Sequence, residues 1–241
     1  MVRCSLCLLL SIFTVIAHSE TQTDNPPLRF YTEEYAPFSF SNDGDIVGIN
    51  TELLKLTAEK LDLDVKFMIV PWGRAQLATR QNDRTCFFSG ARTPEREDIY
   101  QWVGPLTRER IILYSLTPDS PELETIEGAR DYRVGGQIAD AYSGWVEAQG
   151  VPVDPVTEVA DNLAKLKWER IDLWLAGSIA GPYIASQHDM EIYPQAESDE
   201  VFELWLVCNQ DFPSELLRAL NETVETFKHD GTLEKIRARY Q

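Results

Sequence analysis

The feature that most constrains this chain is a regular alternation of short apolar, strand-like runs with amphipathic helical stretches, sustained from Leu28 to Tyr240. A first strand begins at Leu28. Val65, Phe67 and Ile69 recur at the period of two expected of a half-buried strand. Continuous apolar runs around Cys86-Phe87-Phe88, Ile111 to Tyr114, Ile171 to Ala176 and Phe202 to Cys208 predict buried strands, and Val134-Gly135-Gly136 ends another in a glycine turn. Between them, Asn50 is placed to cap a helix carrying Leu53, Leu54, Ala58 and Leu61 on one face. Further helices are expected from Arg74, Asp140, Asp161 and Ser178, and a C-terminal pair is separated by the helix stop Asp230-Gly231. This alternation predicts an α/β protein with mostly parallel sheets, whose ligands sit at the carboxyl ends of the strands. The residues just after each strand are therefore the candidate functional residues.

Length and composition narrow the class. The 241 residues suffice for one large domain or two small lobes. A net charge of −17 repels the phosphate backbone, so nucleic acid is not expected as a partner. Residues 1–19 have the pattern of a secretory signal peptide: Arg3, an apolar run from Leu6 to Ile16, then Ala17-His18-Ser19 with small residues where a signal peptidase reads. That run is far shorter than the ~20 apolar residues of a spanning helix. Export predicts a periplasmic location. It also leaves Cys86 and Cys208 as a possible disulfide, with two buried free thiols as the alternative. Neither a metal site nor a cofactor is expected, since two cysteines without nearby histidine cannot supply a zinc site's usual ligands. No Ser/His/Asp or Cys/His nucleophilic set and no phosphate-cradling loop can be assembled, which favours binding over catalysis.

Three segments lie directly after predicted strands. Thr32 to Phe40 reads TEEYAPFSF, Val70 to Arg74 reads VPWGR, and Ser89 to Arg96 reads SGARTPER. In the last, Thr93 as N-cap and Pro94 at the first helical position predict a helix start, with Arg96 in its first turn. Together with WVGPL, YRVGGQ, ERIDLWLAG and the terminal HDGTLEKIRARY, these segments resemble the bacterial extracellular solute-binding proteins of family 3, the receptors of polar amino acid importers. The PWGRA and WVGPL variants are those of a divergent subgroup.

The resemblance implies a type II periplasmic-binding-protein fold, two α/β lobes joined by a two-strand hinge. Lobe 1 would comprise residues 20–106 and 200–241, and lobe 2 residues 107–199, with crossings near Leu106–Arg110 and Asp199–Phe202. It implies no catalytic residues. Ligand contacts are expected from Glu33, Tyr35, Trp72, Arg74, Ser89, Arg96, Gln137 and Asp140. Of these, Arg96 matches the arginine that pairs with a ligand carboxylate. Arg74 has a structural ion pair as its alternative role, and Arg92 reads as structural. The implied partners are a small-molecule solute and a separate membrane ABC transporter permease, with the receptor itself a monomer.

Three positions depart from the family pattern. Ala91 and Asp140 stand where Thr or Ser is usual, and Gly177 stands where an Asp usually pairs with the ligand amino group. An enzyme on the same scaffold, resembling cyclohexadienyl dehydratase and using Glu33 or Asp140 as acid or base, is one alternative. A ligand sensor without import is another.

Overall fold

The structure is a computed structural model that describes residues 26–118 and 121–240. The expected signal peptide at residues 1–19 lies outside them. In chain order, β1 (Leu28–Thr32) is followed by a small hairpin of β2 (Phe40–Asn42) and β3 (Asp45–Val47), then α1 (Ile49–Lys60). Next come β4 (Val65–Ile69), α2 (Trp72–Gln81), β5 (Thr85–Ala91), α3 (Pro94–Glu97) and the 16-residue β6 (Tyr100–Ser115). The middle of the chain supplies β7 (Val134–Gln137), α4 (Ala141–Ala148), β8 (Val153–Val156), α5 (Asp161–Lys167), β9 (Leu173–Gly177) and α6 (Ala180–Gln187). A 17-residue β10 (Tyr193–Asn209) leads back to α7 (Ser214–His229) and α8 (Thr232–Arg237), which pack against α1.

One eight-stranded sheet runs in the order β4-β1-β5-β10-β6-β9-β7-β8. Its two wings are parallel, β4-β1-β5 on one side and β9-β7-β8 on the other. The centre is antiparallel: β10 runs against β5 and β6, and β6 against β9. Four of the seven pairings in this sheet are parallel, as expected, and the three antiparallel ones are confined to the centre. A chain that leaves one wing, builds the second and returns must cross the middle twice in opposite directions, and β6 and β10 are those two crossings. At ~3.3 Å per residue each spans roughly 50 Å, enough to take part in both wings. The expected lobe boundaries fall inside these two strands.

Burial follows the sequence pattern. All seven residues of β5 are buried, because the strand lies between β1 and β10 and is covered on both faces. Cys86 and Cys208 face each other across β5 and β10 and are joined in a disulfide. The helices begin slightly differently from expectation. Gly48, at φ 120°, precedes α1, and a Cβ there would strike the Phe38 carbonyl at 2.5 Å. Asn50 thus lies inside the helix, and its side chain serves tertiary structure: it donates to Ser89 Oγ (3.0 Å) and accepts from Thr107 Oγ1 (3.0 Å). α3 is a single turn, and the Thr93 side chain makes no capping hydrogen bond to it.

Candidate functional site

The carboxyl ends of strands from both wings meet at one cleft. The segment after β1 delivers Glu33 and Tyr35, the first residue of α2 is Trp72, and β5 delivers Ser89 and Ala91. From the other wing come Gln137 at the end of β7, Asp140 and Tyr142 at the start of α4, and Leu175 and Ala176 of β9. Together with Val159 and Leu204 they enclose a cavity that leaves about 20 Å³ for the centre of a water molecule to move in. The lobes are thus drawn together, and a solute larger than one or two waters can enter only if they part.

Three sets of hydrogen bonds draw the wings together. Glu33 is 6% exposed and accepts from Gln137 Nε2, which also donates to the Thr157 carbonyl at 3.2 Å. Gln76 Nε2 on α2 donates to the Ala139 carbonyl (3.0 Å). Arg96 donates to the Ala91 carbonyl in one wing (3.0 Å) and to the Ala139 carbonyl in the other (3.2 Å). Ala139, at φ 59°, and Ser89, at φ 64°, both adopt left-handed backbone conformations that cost a non-glycine residue energy. Both flank the cavity.

Two more buried carboxylates complete the site. Asp140 caps α4, its Oδ2 accepting from the backbone N–H groups of Tyr142 (3.0 Å) and Ser143 (3.2 Å). Burial raises its carboxyl, with Arg96 and the capping N–H groups opposing. Glu109, on β6 and 3% exposed, is held by four donors. The hydroxyls of Tyr35 (2.5 Å) and Tyr142 (2.9 Å) donate to Oε1, and the N–H groups of Ile179 (3.2 Å) and Ala180 (3.3 Å) donate to Oε2. A Cβ at Gly177 would lie 2.0 Å from this carboxylate. The Glu109 head group therefore fills the space that a side chain at 177 would need, and the glycine in ERIDLWLAG is required by it. Burial raises the Glu109 carboxyl, against the pull of its donors. It raises Glu33 well above its ordinary range, with Gln137 alone pulling back and Asp140 and Glu158 adding to the rise.

Of the residues expected from sequence, Glu33, Tyr35, Trp72, Ser89, Gln137 and Asp140 line the cavity. Trp72 is 3% exposed and packs edge-on against Phe87, with ring centroids 5.1 Å apart. Arg74 is exposed on α2 and does not line the cavity. Arg96 stands at its edge, occupied with main-chain carbonyls. Arg92 lies between the rings of Trp102 and Trp205 (5.1 and 4.8 Å) and pairs with Glu97. Sequence reasoning missed Glu109, Tyr142 and Gln76. The one available signal was an acid, Glu109, inside an otherwise hinge-like strand.

Residues 28–241 match the family described as bacterial extracellular solute-binding proteins, family 3. The chain belongs to this family. Among curated relatives, it is 22% identical over 211 residues to the L-cystine-binding protein TcyJ of Escherichia coli (strain K12), covering 86% of this chain and 79% of that one. It is also 22% identical over 218 residues to the arginine-binding extracellular protein ArtP of Bacillus subtilis (strain 168), covering 86% and 82%. A histidine kinase sensor domain with similarity to periplasmic binding proteins superimposes with TM-score 0.80 at 21% identity, over 89% of this chain and 95% of that one. The ancestral amino acid-binding protein AncCDT-1, a precursor of cyclohexadienyl dehydratase, does so with TM-score 0.77 at 19% identity, over 89% and 95%. At these identities the solved structures establish the fold, the two-lobed type II periplasmic-binding architecture.

Proposed function

We propose that this member of the family is an exported receptor that closes its two lobes over a small, amino-acid-like polar solute and delivers it to a membrane ABC transporter, a separate chain. The observation that carries this reading is the cavity at the meeting of the two wings, lined by buried polar groups from both and closed by Glu33–Gln137, Gln76–Ala139 and Arg96–Ala139. Such interlobe bonds form only in the closed state, so a ligand that bridges the same surfaces shifts the population toward it. The proposed contacts are Glu33, Tyr35, Trp72, Ser89, Arg96, Gln137 and Asp140, extended by Tyr142. Residues 1–19 act as the cleavable signal peptide, and lobe 2 spans residues 107–199, inserted between the two parts of lobe 1.

A thermal-shift panel of amino acids, amines, dicarboxylates, sugars and prephenate tests this reading. A ligand at ~100 times its dissociation constant adds ~2.7 kcal/mol of stability, and for a chain of this size that is a rise of roughly 5–10 °C. Silence across the nitrogen-bearing solutes would sink it. A second reading, a dehydratase-like enzyme, draws support from Glu33: a carboxyl at the cleft whose burial favours its protonated form has the character of a general acid. Turnover of prephenate, lost in Glu33→Gln, would establish that reading in place of the first.

A further inference from the structure

We propose that the cleft selects an organic cation without a carboxylate, an amine or guanidine, over the corresponding α-amino acid. This inference rests on the receptor reading above and names the class of solute.

The charges around the cavity carry the argument. Among the described residues, the ionisable side chains that line it, besides the two tyrosines, are Glu33 and Asp140, and no Lys, Arg or His lines it. A third carboxylate, Glu109, stands directly behind the Tyr35 and Tyr142 hydroxyls. The guanidinium of Arg96, at the edge of the site, is engaged by two carbonyls, one from each lobe, and its charge acts on Asp140. Among the described residues, no cation acts on Glu33. The charged groups that act on it are Asp140 and Glu158, both acids, and its hydrogen-bond partner is the neutral Gln137. A ligand carboxylate entering this water-poor space would push both lining acids further toward their protonated forms, and the Arg96 guanidinium already spends two N–H groups on carbonyls and its charge on Asp140. An ammonium or guanidinium would meet the opposite: an acid lacking a counter-charge.

The walls point the same way by an independent route. Trp72, Tyr35 and Tyr142 line the same cavity, and aromatic faces attract cations when water is excluded. Leu204 and Val159 add apolar surface for the body of an aliphatic or aromatic amine. The space beside Gly177 is already filled by the Glu109 carboxylate, so negative charge enters this part of the cleft from β6 and needs no acid on β9.

Proton balance gives a second readout. Burial keeps the Glu33 carboxyl protonated well above the usual range while no cation is present. When a cationic amine binds, Glu33 loses its proton to solvent and its carboxylate pairs with the ammonium, so up to one proton is released for each amine bound.

The test is isothermal titration of the purified protein with matched pairs: arginine and agmatine, lysine and cadaverine, tyrosine and tyramine. In at least one pair, the amine is expected to bind at least roughly tenfold tighter than its parent amino acid. Its apparent enthalpy should vary with the ionisation enthalpy of the buffer, reporting the released proton. Glu33→Gln should weaken amine binding at least roughly tenfold and abolish the buffer dependence. If that variant does not fold, the paired comparison in the unaltered protein decides alone. Tighter binding of the amino acid in every pair that binds would overturn the inference and leave the receptor reading intact. No binding in any pair would overturn both.

Discussion

Glu33 and Glu109 are both buried carboxylic acids at one cleft, and they are provided for in opposite ways. Glu109 receives two tyrosine hydroxyls and the first N–H groups of α6, a shell of four donors that closes completely around it. Glu33 receives one amide from Gln137, and the charges that act on it are repulsive. Burial raises both carboxyls, but Glu109 is held back by its donors, whereas Glu33 rises well above its ordinary range. A satisfied buried acid is part of the framework. One with a single donor and repulsive charges around it, beside a cavity, is costly to the folded protein in its ionised form unless something else completes it. By this comparison, Glu109 has the surroundings of a scaffold residue and Glu33 those of the proposed ligand contact.

The largest expected effect is at the framework acid. Glu109→Ala leaves four donors facing a void, and losing one member of such a buried charged network costs about 3–5 kcal/mol. For a chain of this length that corresponds to a fall in Tm of roughly 10 °C, read by circular dichroism. An unchanged Tm would show that the four donors find other partners and would remove the distinction between the two acids.

Next in size is Gly177→Ala. Its Cβ would meet the Glu109 carboxylate at 2.0 Å, and overpacking of this kind costs about 1–3 kcal/mol. The two substitutions should be strongly coupled. In the Glu109→Ala background the clash is gone, so adding Gly177→Ala should cost less than about 0.5 kcal/mol more. Simple additivity in denaturant melts would mean that the glycine is required for another reason.

How far the sequence went follows the same division. The strand-end motifs placed Glu33, Tyr35, Trp72, Ser89, Gln137 and Asp140 at the cleft, because a short strand followed by a turn fixes where the next side chains lie. The antiparallel centre of the sheet was not legible: β6 and β10 are long only because they pair with both wings, and no local pattern encodes that. Glu109 was missed for a related reason. Its meaning depends on the absence of a side chain at Gly177 and on the start of α6, both remote in sequence. Read without this contact, Gly177 is only a lost acid. With it, the glycine makes room for an acid supplied by another strand. Asn50 failed in the other direction. Its composition suits a helix cap, but the buried bonds to Ser89 and Thr107 claim its side chain, and Gly48 takes the helix boundary.

Glu33→Gln should have the opposite sign to Glu109→Ala in the ligand-free protein. In the unfolded chain the Glu33 carboxyl ionises near its ordinary value of 4.5, while in the folded protein it keeps its proton to higher pH. The folded state therefore binds more protons over that interval, and stability falls as pH climbs above about 4.5 until the folded carboxyl has itself ionised. Asp140 and Glu109 are displaced in the same direction and add to the trend. Thermal melts should give a Tm higher at about pH 5.5 than at about pH 8. Glu33→Gln should flatten that slope and raise the Tm at the upper pH by roughly 2–4 °C, the effect of about 1 kcal/mol. A steeper slope in the variant would mean that Glu33 is ionised in the folded protein and held by contacts other than those described.

The smallest effect tests whether the lone donor on Glu33 also governs closure. Gln137→Ala removes an interlobe bond but leaves Gln76 and Arg96 on the Ala139 carbonyl. Its effect on Tm should be within about 1 kcal/mol, since one hydrogen bond contributes about that much net. The same quantity acts fully on the balance between open and closed lobes, where about 1 kcal/mol is roughly a fivefold change in population. Small-angle scattering of the ligand-free variant should show a larger radius of gyration than the unaltered protein, and combining the change with Gln76→Ala should enlarge it further. The decisive contrast lies with the Tyr142→Phe variant, which removes a bond to Glu109 made within the closed cleft's floor. If the shell around Glu109 is framework, Tyr142→Phe lowers the Tm by roughly 2–8 °C, the effect of about 1–2 kcal/mol, and leaves the scattering profile of the lobes unchanged. If that variant opens the lobes as Gln137→Ala does, the two acids share one role, and closure is held at the floor of the cleft as well as at its rim.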